Sequence, residues 1–344
     1  MVRLQFRHGI DVAETNIVGP VTGNQGHVIH PIYLEHVTSF TIYMQGSGAI
    51  SSLRYSQGCV ANSGGDPHFT RWSRQYEERD SFHGECDLVL FQVPHKDFAL
   101  HVRTTIQMYF SYIAEAAVQI GKHILQVQAA NPNVILLDGI PHDLIVDKQG
   151  LPVPLTFTDD IDGASYQYVW EDNHSTTTKH VYRLDLSDWS YLRFKMYDRF
   201  LTVSIHAGEI EPFQGAVGLL GRFPDGQLVT RDEVLYEAEH DKKDWMYTTT
   251  FTDYAMEWQV DPTRGDSTLF HTKRSPQLPY ERCRLPTAAR PGRRQLLRGN
   301  NYADLEKAKE ACRRQVDAAS SPANFDLCVD DVLTMGDVDL AAIW

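Results

Sequence analysis

Hydrophobic positions along much of this chain recur with a period of two. Leu100, Val102 and Thr104 alternate with His101, Arg103 and Thr105, and Tyr191, Phe194 and Met196 lead into Leu201, Val203 and Ile205. Alternation of this kind predicts strands with one face on a core. Two shorter runs, Leu88-Val89-Leu90-Phe91 and Val134 to Leu137, are apolar throughout and predict buried strands. Turn pairs at Asp138-Gly139, Gln149-Gly150, Asp162-Gly163 and Asp225-Gly226 punctuate the series. A run of strands from Phe98 to about Val260, broken in this way, predicts an all-β antiparallel sandwich. The alanines of Tyr112 to Ile120 suit a helix as well, but Gly121 closes the stretch and it is read as a strand.

The pattern changes at both ends. Leu4 and Phe6 alternate with polar neighbours, and Val37 to Met44 is rich in β-branched and aromatic types, so residues 1–58 read as an N-terminal β-rich arm. Two strands make no stable unit alone, so the arm packs back on the main domain or completes a neighbour's sheet. After Cys283, Pro286, Pro291 and Gly292 with Arg290, Arg293, Arg294 and Arg298 form a basic linker over 284–300, either solvated or a processing site. Residues 301–344 read as a helical, cysteine-bearing tail. Asn301 is placed to cap a helix in which Leu305, Ala308, Cys312 and Val316 share a face. Phe325, Cys328, Val329, Val332 and Leu333 repeat at helical spacing until Gly336.

Three blocks carry a resemblance. Gly64-Gly65-Asp66-Pro67-His68-Phe69 is followed by Gly84-Glu85-Cys86 and the apolar strand. Gly218-Leu219-Leu220-Gly221-Arg222-Phe223-Pro224-Asp225-Gly226 is the second, and Phe251 to Val260, with Trp258, is the third. Together they resemble the von Willebrand factor type D domain over about Cys59 to Cys283, nearest to the type D modules of secreted diatom and algal proteins. The third block resembles that family's closing strand. The implied fold is a type D-like β-sandwich over 59–283, flanked by the arm and a small C-terminal helical hairpin.

Composition narrows the function. Hydrophobic residues make up 42% of 344 positions, enough for a core, and the formal charge of −13 argues against nucleic acid, which needs a concentrated basic face. No apolar run approaches a membrane span. Met1 is followed by Arg3 and Arg7 rather than by a signal sequence. The chain is then either not secreted by the usual route or a processed or truncated part of a secreted precursor. The spread of its five cysteines, a sparse disulfide framework rather than buried free thiols, favours the second.

The resemblance implies specific roles. Cys86 pairs with Cys283, and Cys312 with Cys328, the latter stapling the two tail helices into a hairpin that docks on the sandwich. Cys59 is left as a free or intermolecular thiol, because its family partner stands where this chain has Leu220. Type D domains commonly bind calcium, and Asp225 and Asp232 are the carried-over ligands. Arg222 stands where asparagine is usual and offers an ion pair to either aspartate in place of the ion. Some relatives break the Asp66-Pro67 bond autocatalytically in mild acid, with His68 as the proton donor; the alternative is an intact structural turn. Asp160-Ile161-Asp162-Gly163 with Glu171 reads as a solvated turn rather than an EF-hand. Asn173-His174-Ser175 is a glycosylation sequon.

No phosphate-binding loop or nucleophile elbow is present, and His68, His83 and Cys86 match no zinc spacing, so turnover catalysis is not expected. The expected function is an extracellular structural or adhesive subunit that joins copies of itself and other extracellular glycoproteins in a matrix, fibre or surface appendage. The alternative is a monomeric, calcium-stabilised module that binds a glycan or protein ligand.

Overall fold

The computed structural model describes residues 2–8, 11–17, 37–44, 50–57, 59–64, 67–73, 79–107, 109–143, 145, 147–149, 153–158, 165–171, 179–187, 190–208, 211–237, 249–272, 274, 283–287, 302–316, 318 and 322–344; as far as residue 60 the description is of the backbone. Strands β1 (Val2–His8) and β2 (Asp11–Ile17) form one antiparallel hairpin, and β3 (Val37–Met44) and β4 (Ile50–Gln57) another. Then follow β5 (Cys59–Gly64), β6 (His68–Ser73), β7 (Arg79–Ser81), β8 (Asp87–Val93), β9 (Phe98–Gln107), β10 (Phe110–Ile120), β11 (His123–Gln128), β12 (Val134–Leu137) and β13 (Ile140–Asp143). The series ends with β14 (Leu155–Thr158), β15 (Ser165–Trp170), β16 (Lys179–Asp185), β17 (Ser190–Tyr197) and β18 (Phe200–Ala207).

The fold is all-β and antiparallel in its larger part. A six-stranded sheet runs β13-β12-β11-β10-β9-β8, and an eight-stranded sheet runs β14-β15-β16-β17-β18-β5-β6-β7. Alternate residues from both, such as Leu88, Leu100, Val102 and Val118 from one and Phe69, Phe194, Leu201 and Val203 from the other, meet in a single apolar core. Tyr112 to Ile120 is a strand, as its closing glycine suggests. At the β12–β13 turn Asp138 and Gly139 both take positive φ, 54° and 79°, as a two-residue hairpin turn requires. The Asp162-Gly163 pair and Gly150 lie outside the described residues.

The strand series does not continue to Val260. Among the described residues it stops at Ala207, and Phe251 to Glu257 is helical: α1 spans Thr249–Glu257. The reason is visible in the packing. Phe251, Tyr254, Ala255 and Trp258 follow the helical spacing i, i+3, i+4, i+7, and all are fully buried. Only the residues after the helix behave like a strand, where the Val260 N–H donates to Asp87 O and the Trp258 carbonyl accepts from Val89 N, both at 2.8 Å.

That contact belongs to a longer arrangement that closes the outer edge of β8. Beyond Trp258 and Val260, the N–H groups of Leu219 and Leu220 donate to Val89 O and Leu90 O at 3.0 and 3.2 Å, and Val217 exchanges both backbone hydrogen bonds with Gln92. The same loop reaches the other sheet, because Leu220 O accepts from Trp72 N on β6 at 3.1 Å. Tyr254 of α1 donates its hydroxyl to Gly218 O at 2.8 Å. Such close approach requires glycine. A Cβ at Gly218 would lie 2.6 Å from Leu90 O, and one at Gly226, where φ is +68°, would lie 2.1 Å from Trp72 O.

Leu220 is fully buried and apolar. In the same core, Trp72 packs against Phe91, Phe213 and Phe223 with ring centroids 5.1–5.8 Å apart.

Cys86 and Cys283 are bonded, closing a span of 197 residues, a constraint of about 5 kcal/mol at most in the chain-entropy account. Charged neighbours brace the bond. Arg103 donates from Nε and Nη2 to the two oxygens of Asp87 at 2.8 and 3.0 Å, and Arg274 donates to Oδ1 of the same carboxylate at 2.6 Å. Burial alone would raise the Asp87 pKa, but hydrogen bonds from Arg103 and the charge of Arg274 hold it below the usual carboxylate range.

The tail helices are α2 (Tyr302–Arg313) and α3 (Pro322–Met335), joined by the Cys312–Cys328 disulfide. Val316 lies past the end of α2, and Asn301 lies outside the described residues. The hairpin docks on the sandwich as expected: Ala308, Cys312, Cys328, Val329 and Val332 share a cluster with Tyr109, Phe110, Tyr112, Tyr197 and Phe200.

Replacement of Gly226 by alanine is expected to destabilise the protein by about 2–4 kcal/mol through strained φ and contact with Trp72 O. Urea unfolding of the purified variant measures this, and a loss below about 0.5 kcal/mol would contradict the close packing of the loop.

Candidate binding cleft

The residues singled out by sequence disperse. Asp66 and Asn173 lie outside the described residues, as does Asp160 to Gly163. Pro67 is buried, and its carbonyl accepts from Phe82 N at 3.3 Å. Cys59 opens β5 opposite Ala207, with its side chain undescribed. Asp225 is engaged within its own turn, where Oδ2 accepts from Arg222 Nη2 at 3.0 Å and Oδ1 from Gln227 N at 3.0 Å. Among the described residues, no group of three or more His, Cys, Asp or Glu side chains is placed to hold a metal ion.

His68 sits in a buried polar row that no sequence motif announces. Its Nδ1 lies 2.7 Å from Ser81 Oγ and its Nε2 lies 3.4 Å from Asp331 Oδ1 on α3, and Asp331 Oδ2 accepts from Trp344 Nε1 at 3.0 Å. The order Ser-His-Asp imitates a catalytic triad. All three residues are no more than 2% exposed, however, so no substrate reaches the hydroxyl, and the row fastens the tail to the sandwich. His83 and Ser111 form a similar buried contact, with Ser111 N donating to His83 Nδ1 at 3.3 Å.

Asp232 alone of the candidate ligands faces a cavity. It lies on the rim of a cleft of about 750 Å³ beside the turn after β8 and the start of β9. The cleft exists because a strap of chain, Asp261 to Thr272, crosses the outer face of the six-stranded sheet. Leu269 and Phe270 of the strap bury Ala99 and Ala117, and Phe270 stacks on the Arg103 guanidinium at 4.1 Å. His271 N donates to Gln126 Oε1 at 2.9 Å. The alternation of β9 therefore marks two buried faces, since His101 and Arg103 are covered by the strap as Leu100 and Val102 are by the core.

Arg231 holds the strap in register. It donates to Glu257 O, Gln259 O and Asp266 Oδ1 at 2.8–2.9 Å and lies 5.0 Å over the Trp258 ring. The second oxygen of Asp266 accepts from Asp261 N at 2.8 Å. Asp261 in turn caps the short 3-10 turn Pro262–Arg264 through Thr263 N, also at 2.8 Å, and that turn places Arg264 at the cleft. Asp97 and Asp232 supply exposed carboxylates, Lys96 and Arg264 cations, and Leu269 an apolar contact, while the Phe98 ring turns to the core against Phe91 and Phe213.

His101 forms the inner boundary and is 4% exposed. Burial lowers its pKa to about 4, with Asp266 and Asp87 pulling it up and Arg231 pushing it further down. It is therefore neutral at physiological pH. Its Nδ1 is buried and has no hydrogen-bond partner among the described residues. A neutral imidazole offers one donor and one acceptor, and with the carboxylates and cations of the lining the cleft presents both kinds of group. Chemically, this suits a neutral ligand rich in hydroxyls better than a polyanion. Apart from Asp232, nothing local in the sequence pointed here, because the lining converges from segments around 92–101, 119, 231–232 and 264–269.

No protein-family model matches the chain, and no curated protein matches it.

The His101 pKa has a measurable consequence. An unfolded histidine titrates near 6.5, so between pH 6.5 and 4 the unfolded chain binds a proton that the folded chain does not, and stability falls as pH falls. The total is about 3 kcal/mol by pH 4. Denaturant unfolding across this window is expected to show a shallower pH slope for His101→Phe than for the native protein; equal slopes would contradict the buried neutral imidazole.

Proposed function

We propose that this protein is an extracellular, disulfide-clamped module of von Willebrand type D-like architecture that holds a hydroxyl-rich ligand, a glycan of neighbouring glycoproteins, in the polar cleft. The observation that carries the reading is the cleft itself: the carboxylates of Asp97 and Asp232 and the cations of Lys96 and Arg264 line it together with a buried neutral His101. Sugar hydroxyls donate and accept at once, so they match such a lining. The volume suits a short oligosaccharide. The two disulfides support an oxidising compartment. Calcium enters this reading only as a stabiliser at Asp232, since Arg222 occupies the Asp225 carboxylate.

A second reading, self-association into a matrix or fibre, is favoured by the N-terminal hairpins. Among the described residues, β1–β2 and β3–β4 are two-stranded sheets that join neither larger sheet by a ladder, and two strands alone are marginal. The edge of β8 is closed by Val217 to Leu220 and Trp258 to Val260, so an added strand from another copy would pair elsewhere.

An oligosaccharide array followed by calorimetry tests the first reading. Saturable binding is expected, weakened about tenfold or more by Asp232→Asn and by Arg264→Ala, as loss of a hydrogen bond to a charged group implies. No binding across the array would overturn it. Light scattering of the native protein with and without reductant tests the second: an assembly lost on reduction implicates Cys59, and a monomer in both conditions removes self-association.

A further inference from the structure

A second cavity lies at the opposite end of the sheets, where the outer strands β13 and β14 come together. It encloses about 320 Å³ and, unlike the polar cleft, is lined chiefly by apolar groups, among them Ile135, Pro141, Val153 and Leu155. Its inner wall is a pair of tyrosines, Tyr168 on β15 and Tyr182 on β16, stacked nearly parallel with centroids 5.1 Å apart and 10° between planes. At its mouth Val153 is 43% and Ile145 is 65% exposed.

The tyrosines carry an observation that packing alone leaves unexplained. Tyr168 is 4% exposed, and its hydroxyl is buried without a hydrogen-bond partner among the described residues. An unmet phenol in an apolar wall costs on the order of 1–3 kcal/mol, and native structures rarely leave one so. Leu155 stands opposite Tyr168 in the β14–β15 ladder and Leu184 opposite it in the β15–β16 ladder, so neither cross-strand neighbour supplies an acceptor. Burial and the nearby Tyr182 raise the Tyr168 pKa well above 10.0, so the group stays protonated and is a donor.

We propose that this cavity is a binding site for a small, flat, apolar molecule that carries a carbonyl acceptor for the Tyr168 hydroxyl. Three properties of the site select that chemistry. The lining is mostly apolar, with Asn133, His142 and Asp143 as its polar side chains, and disfavours sugars and ions, most of whose polar groups would lose hydration without replacement. The parallel tyrosine pair favours a ring or conjugated chain laid against it. The volume lies near the lower end of small-ligand sites, which suits an aromatic ketone or a short terpenoid better than a long acyl chain. The site is separate from the polar cleft, sharing none of its lining residues, so it stands whether or not a glycan binds there.

The test uses a named probe, the environment-sensitive ketone 6-propionyl-2-(dimethylamino)naphthalene, titrated into the full chain and followed by its emission. Saturable binding with a blue shift is expected. Tyr168→Phe, which keeps the ring and removes the hydroxyl, is expected to weaken it about fivefold. Val153→Trp, at an exposed position on the mouth, is expected to abolish it while leaving the melting temperature within a few degrees of native. Absence of saturable binding by the native protein would overturn the proposal. Equal binding by native and Val153→Trp proteins would also overturn it, because the dye would then sit elsewhere, and undiminished binding by Tyr168→Phe would overturn the role of the hydroxyl.

Discussion

The structure depends on one close approach of backbone to backbone. The loop from Val217 to Gly226 lies along the edge of β8, hydrogen-bonds strands of both larger sheets, and receives the Tyr254 hydroxyl from α1. Without Cβ atoms at Gly218 and Gly226 it comes within van der Waals contact of Leu90 and Trp72. This contact does several things at once. It closes an edge that would otherwise expose backbone groups, fixes the spacing of the two sheets near Trp72, and positions the segment after α1. That segment leads directly into the strap over β9, so the polar cleft inherits its geometry from the loop.

Charge plays a different part from packing. The Asp87–Arg103–Arg274 cluster is buried beside the Cys86–Cys283 bond, where removing one partner would strand the others. Arg231 works similarly, with each of its nitrogens occupied by the carbonyls and carboxylate that hold the strap. These cations are structural. The groups left facing the cleft, Asp97, Asp232 and Arg264, sit on turns, and Arg264 is steadied by Glu257 at 2.8 Å. A rigid frame with exposed polar groups at its rim is the arrangement expected of a recognition surface.

Much of the sandwich was legible in the sequence because period-two alternation is a local signal. Leu100 to Thr105, Tyr191 to Met196 and the Asp138-Gly139 turn declare their structure within a few residues. The C-terminal helices did so equally, through the spacing of Cys328, Val329, Val332 and Leu333. In the segment Phe251 to Trp258 the helical spacing of its own residues prevails over its likeness to a closing strand. The cleft was illegible for another reason. His101 reads as the polar face of an alternating strand until the strap from Asp261 to Thr272 covers it, and no local pattern tells that a segment so distant returns there. Asp331 was likewise a polar helix position until it met His68.

Hydrogen exchange of the native protein, with and without a mixture of glycans in excess, tests the central claim most directly. The account predicts slowed exchange confined to the amides around 96–101, 231–232 and 264–269, which border the cleft. Protection that appears instead along β13 and β14 or the tail helices, or no protection with the glycans in excess, would contradict it.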